Sequence, residues 1–331
     1  MKRITALALA LAATVASAPL AQAAWQPSKP IEFVVTSGPG GGTDTFARVV
    51  QSIITKHKLL EQPIVVTNKG GGSGAEGYVY GKASAGDPHK VIFGTNNEYL
   101  LPLVAKLAFK PDDLTPVAAM AMDEFLIWVN GAAPYADAKS YLEAVKAKPE
   151  GFKMGGSQSK DTDETLTKLI EGATGAKFIY VPFKGGGEAA VQLAGAHVDS
   201  NTNNPNENIG QWKAGLVKPL CVFSPERLPA GAKVTADKGW SDIPTCKEQG
   251  VPIDQFQMPR TVWLTPKAPD DAVTYYADIL AKVKDTPEWK EYIDRTSQTS
   301  RFLSGQDFKS FIASDEEKNR KVFEKEGWVV K

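Results

Sequence analysis

Apolar residues along this chain fall into two alternating periods. Ile31-Glu32-Phe33-Val34-Val35 is a short strand-like run. After the glycines of 38–42, Phe46, Val49, Val50, Ile53 and Ile54 recur at helical spacing and mark one apolar face. Ile64–Thr67 is β-branched and reads as a second strand; Val91–Gly94 reads as a third. The pattern restarts with Phe125–Val129. A helix is predicted over 137–146, with Tyr141, Leu142 and Val145 inward, then a strand over 152–154. A second helix is predicted over 159–171, with Leu166, Leu169 and Ile170 on one face and glycines 172 and 175 to end it. Strands over 178–183, 217–223 and 261–264 and helices over 188–194, 271–283 and 306–324 complete the reading. Strands alternating with helices predict an α/β fold of mainly parallel sheets covered on both faces.

Composition narrows this modestly. A chain of 331 residues suggests about two domains at roughly 150 residues each. The 38 basic and 38 acidic residues balance, which argues against a nucleic-acid binder. Three scattered histidines and two cysteines match no zinc or iron–sulfur spacing, so no metal or cofactor is expected. His57 and His89 read as exposed helix and turn residues.

The first segment sets the compartment. Lys2 and Arg3, the apolar run Ile4–Ala16 and Ala21-Gln22-Ala23 form the three parts of a secretory signal peptide, 1–23. The expected destination is the periplasm. Export puts Cys221 and Cys246 in an oxidising compartment, where they either pair or stay as two small buried apolar side chains.

One unit recurs: strand, glycine cluster, helix, at 31–54 and again at 178–194. Such a turn leaves N–H groups unpaired at the helix N-terminus, where the partial positive charge favours anions. Two such turns on opposite lobes would clamp a small anion.

The motifs Pro39-Gly-Gly-Gly-Thr-Asp44, Asn68-Lys-Gly-Gly-Gly-Ser-Gly74, Val181-Pro-Phe-Lys-Gly-Gly-Gly187, Leu193-Ala-Gly195 and Ile243-Pro-Thr-Cys-Lys-Glu-Gln-Gly250 occur in order along the chain. In them it resembles the Bug-type (TctC-like) periplasmic solute-binding proteins of tripartite tricarboxylate transporters. The resemblance implies a two-lobed, type II-like periplasmic binding protein with a hinge. Lobe 1 would comprise 24–124 plus 251–331, and lobe 2 would comprise 125–250. It further implies a monomer that captures a small carboxylate (di- or tricarboxylate, possibly aromatic) between its lobes. The ligand then passes to the permease subunits. By the same resemblance the loops Ser37–Thr43 (Ser37, Gly40, Gly41, Gly42, Thr43) and Lys184–Gly187 (Lys184, Gly185, Gly186, Gly187) hold the carboxylate. A third loop, Gly156–Thr162, supplies Ser157, Ser159 and Thr162.

This chain departs from the common family pattern at Lys160 and two acids near it, at Asn203 and Asn204, and at Met258-Pro259-Arg260. Lys160 and Arg260 are candidates to pair with a second carboxylate, and favour a ligand with at least two. Asn96, Asn97, Asn203 and Asn204 follow strands and are placed to read polar groups or to shape turns. Thr43, Ser157, Ser159 and Thr162 either donate to the ligand or cap helices.

The alternative is an exported NAD-dependent oxidoreductase. Gly72-Ser-Gly-Ala-Glu-Gly77 matches G-x-G-x-x-G after a strand, with Glu98 about twenty residues on. No hydrolase elbow surrounds Ser73, and no Lys-Ser/Thr follows the glycines as a P-loop requires.

Overall fold

A computed structural model describes residues 25–330; the expected signal peptide lies outside them. Two mixed sheets, each with helices on both faces, organise the chain. The first is built by β1 (Ile31–Val35), α1 (Gly42–Lys56), β2 (Ile64–Asn68), α2 (Ala75–Ala83), β3 (Lys90–Gly94), α3 (Asn97–Val104) and β4 (Thr115–Glu124). The second follows with β5 (Leu126–Asn130), α4 (Ala138–Ala147), β6 (Lys153–Ser157), α5 (Thr162–Thr174), β7 (Ile179–Phe183), α6 (Gly186–Ala194), β8 (Ser200–Asn201), α7 (Pro205–Lys213) and β9 (Val217–Val222). The chain then returns to the first sheet through β10 (Gln257–Leu264), α8 (Asp270–Lys284), α9 (Pro287–Thr296), β11 (Thr299–Ser304) and α10 (Gly305–Lys325).

The first sheet runs β11-β4-β10-β3-β1-β2 and the second β7-β6-β8-β5-β9. Only β1 with β2 and β3, and β6 with β7 and β8, pair in parallel. The sheets are therefore mixed where mainly parallel ones were expected. The cause is the return leg: β10 enters antiparallel between β3 and β4, and β5 lies antiparallel to β8 and β9.

The apolar face of α1 lies as its spacing predicts. Phe46, Val50, Ile53 and Ile54 are buried with Ile31, Phe33 and Val35 in one core. Val34 and Ile92 point to the opposite face, under α2, α3 and α10. A strand buried on both faces reads as a continuous apolar run, which is what 31–35 shows. The second sheet has the same layering, with Leu142, Val145, Leu166 and Ile170 on one face and Trp128, Leu193 and Trp212 on the other. Cys221 and Cys246 form a disulfide with a Cα separation of 4.8 Å.

Two sequence readings shift. Helix α5 starts at Thr162, not 159, because Gln158 and Lys160 take left-handed backbone angles and Asp161 caps Thr162 N–H at 2.7 Å. His89 is 8% exposed, its Nε2 accepting Ser28 N–H at 3.1 Å, so it is a buried turn residue.

Candidate functional site

The ends of β1, β3, β6 and β7 converge on a cleft of about 560 Å³ between the two sheets. Ligand sites of open α/β sheets lie outside the carboxyl ends of strands, and this cleft does.

On the first-sheet side the loop 37–42 leads into α1. Its N-cap, Gly41, carries no side-chain cap, and among the described residues the N–H groups of Gly42, Thr43 and Asp44 meet no acceptor. Gly70 packs against this loop so closely that a Cβ there would lie 2.6 Å from Ser37 C. Asp44 turns away from the cleft: it accepts Gly40 N–H at 2.8 Å and pairs with Arg48. Arg260, on β10, is 3% exposed; it pairs with the buried Asp123 of β4 and donates from Nη1 to Thr43 Oγ1 at 3.0 Å. Gln298 donates to the other oxygen of Asp123. The guanidinium lies over Gly42, where any side chain would run into it.

On the second-sheet side the turn 184–187 opens α6, whose N-cap Gly185 also carries no side-chain cap. Glu207, at the third position of α7, reaches back to Asn204 N–H at 3.2 Å, and its carboxyl lies directly over Gly186. Asp163 accepts Ser157 N–H at 2.5 Å, and Asp161 accepts Asn97 Nδ2 at 3.2 Å across the cleft. Ser73 Oγ also crosses the cleft, donating to Gln158 Oε1.

Burial dominates the titration of these acids. Desolvation pushes Glu207 up to about 7, with the Arg260 charge opposing it. Asp163 is raised well above the usual carboxylate range by desolvation and by the Glu207 and Asp161 charges. Asp161 is raised by desolvation, against the N–H of Thr162 and the amide of Asn97.

Ser37, Gly40, Gly41, Gly42, Thr43, Ser157, Thr162, Lys184, Gly185, Gly186, Gly187 and Arg260 line this one cleft. Four candidates lie elsewhere. Asn96 is 2% exposed and turns to Asp315 under α10, so its neighbour Asn97 faces the cleft instead. Asn203 is fully buried, donating to Gly186 O and Asn208; Asn204 takes the lining position. Ser159 and Lys160 are exposed and turned to Glu164, through Ser159 Oγ and Lys160 N–H, by the left-handed backbone of that loop. Lys160 stays outside the cleft, and Arg260, which lines it, is already paired with Asp123.

Gln158, Asp161 and Met258 line the cleft from segments the sequence had marked, and Asp163 and Glu207 line it without having been named as candidates. Glu207 was findable: Asn204-Pro205-Asn206-Glu207 is a cap residue, a proline at the first helical position and an acid three residues on, a capping-box signature.

The glycine motif of the oxidoreductase alternative serves packing. Gly74 takes φ +91°, and a Cβ on Gly74 or Gly77 would lie 2.9 Å from Thr36. The strand before it, β2, is at the sheet edge, and Glu98 is fully buried within α3, out of reach of any ribose.

A family model described as tripartite tricarboxylate transporter family receptor matches residues 46–328. The chain is 27% identical to the protein BugT of Bordetella pertussis over 280 residues, covering 82% of this chain and 81% of that one. Among solved structures it is similar to a TctC solute-binding protein from Polaromonas, with 27% identity, a TM-score of 0.69 and coverage of 90% and 99%. R. palustris Rpa4515 with adipate shares the fold at a TM-score of 0.82 and 24% identity, covering 91% and 98%. None of these likenesses supports the oxidoreductase.

Proposed function

The chain belongs to the tripartite tricarboxylate transporter family of receptors, and from that premise we propose how its cleft takes a ligand. It is a solute-binding receptor for a carboxylate, and the family is one of receptors, not enzymes. The carboxylate sits at the N-terminus of α1, against the N–H groups of Gly42 and Thr43 and the hydroxyl of Thr43. Lobe 2 closes over it with the glycine turn 185–187. The observation that carries this is the uncapped N-terminus of α1, whose first three N–H groups meet no acceptor and open on the cleft. Backbone N–H groups at a helix start bind anions without a lysine.

The finer parts of the proposal extend family membership. The protein works in the periplasm after loss of 1–23, acts as a monomer, and hands its ligand to the permease subunits. Residues 24–124 with 251–331, and 125–250, act as the two lobes.

The test is a thermal-shift series of mono-, di-, tri- and aromatic carboxylates on protein freed of co-purified ligand. A ligand at about 100 times its Kd adds roughly 2.7 kcal/mol, or about 5–10 °C for domains of this size. A flat response to every carboxylate would sink the reading.

A further inference from the structure

A directed run of hydrogen bonds leads from the end of α9 to the start of α1. Gln298 Nε2 donates to Asp123 Oδ1, and the other Asp123 oxygen takes Arg260 Nη2. Arg260 Nη1 donates in turn to Thr43 Oγ1 at 3.0 Å. All four residues are buried. Chemistry fixes the direction: a carboxylate only accepts and a guanidinium only donates. Thr43 Oγ1 therefore accepts, which leaves the proton of its own hydroxyl to spend. Among the described residues that hydroxyl donates to nothing, and Thr43 lines the cleft.

Net stability does not account for this arrangement. Apolar residues in place of a buried ion pair are often as stable or more so, and Arg260 also leaves its Nε buried without an acceptor. Nor is the guanidinium a free charge for a ligand, since Asp123 touches it and Glu207, across the cleft, also acts on it. What the pair supplies is position. Asp123 and Arg260 stand on β4 and β10, the paired strands by which the chain leaves and re-enters the first sheet. From there the guanidinium lies against the first turn of α1, its Cζ 3.0 Å from where a Cβ on Gly42 would stand.

We propose that Arg260 is a positioning residue for carboxylate binding: held by Asp123, it occupies the acceptor side of the Thr43 hydroxyl and so turns that proton into the cleft. Arg260 acts through Thr43 and not on the ligand. This rests on the receptor reading above and adds what sets the direction of one of its donors.

The test is a mutant cycle read by calorimetry on the whole mature chain, freed of co-purified ligand. The probe is whichever of acetate, succinate, citrate and benzoate the wild type binds most tightly. Arg260→Met with Asp123→Asn removes the pair without stranding a buried charge, and Thr43→Val removes the hydroxyl while keeping the side chain's shape. Each change weakens the probe at least tenfold. Combined, they bind within threefold of Thr43→Val alone, because without the hydroxyl Arg260 has nothing to turn. Thr43→Ser binds within threefold of the wild type, and loses its advantage over Thr43→Val once the pair is gone. Losses that multiply, or a pairless protein that binds like the wild type, overturn the proposal and leave the receptor standing. If circular dichroism shows the pairless protein unfolded, Arg260→Lys takes its place in the cycle with the same expected results; it keeps a charge beside Asp123 and removes the planar fork. A folded wild type that binds none of the four carboxylates overturns the receptor reading and this proposal together.

Discussion

A single buried acid controls part of the pH response. Glu124, at the end of β4, is 1% exposed; its Oε1 accepts from Thr299 Oγ1 at 2.7 Å and from Gln257, while Oε2 has no partner. Desolvation pushes it up to about 7, against the hydrogen bonds of Thr299 and Gln257 and with help from the Asp123 charge. A carboxyl whose folded pKa is raised stabilises most below its unfolded value of 4.5. That contribution is lost as pH rises through 4.5 towards 7. Glu124→Gln should therefore gain on the wild type across that window, by on the order of 3 kcal/mol at pH 8. Urea unfolding of both proteins at pH 5 and pH 8 checks it: an equal difference at the two pH values would contradict it.

At the scale of elements, the start of α1 is the feature most exposed to test. A Cβ on Gly38 meets nothing within 4 Å, and Gly38 lines the cleft. Gly38→Asp should leave the melting temperature of the empty protein within a degree or two while weakening carboxylate binding tenfold or more. Gly38→Ala is the neutral control, and an aspartate variant that binds like it would move the anion off α1. The disulfide ties the end of β9 to the loop after it, closing 25 residues. Reducing it should cost roughly 3 kcal/mol, read as a lower urea midpoint.

Strands β1, β2 and β3 and the face of α1 were legible because their apolar residues repeat cleanly. Strand β4 was not: Thr115–Glu124 is mostly alanine, methionine and acids, weak strand formers held by β10 and β11 on either side. The glycine loops of the site were equally plain, since strand, glycines and helix are local in sequence. The grouping of Glu207 with Asp161 and Asp163 was hidden because the starts of α5 and α7, more than forty residues apart in the chain, both reach the cleft. Asn96 and Asn203 were misjudged by one position each, because the turn after a strand decides which of two adjacent asparagines faces in.

The whole molecule should change shape with its ligand. Asn97 to Asp161 and Ser73 to Gln158 are hydrogen bonds between the walls, so the structure is a closed form. Ligand should lower the radius of gyration in small-angle scattering relative to stripped protein. Asn97→Ala removes one of these bonds, worth about 1 kcal/mol, and should weaken the ligand roughly fivefold. An unchanged scattering curve at saturating ligand would rule out closure.

The chain passes between the sheets at Phe125 and back at Phe256, and these two rings pack edge to face with centroids 5.3 Å apart. Beside them Glu124 and Gln257 are register partners on β4 and β10. A single tether would let one body swivel freely about the other. Two tethers pinned side by side resist torsion and leave mainly a bend about one axis. The motion then has close to one degree of freedom, and a single pair of fluorescent labels, one on each body, would report all of it.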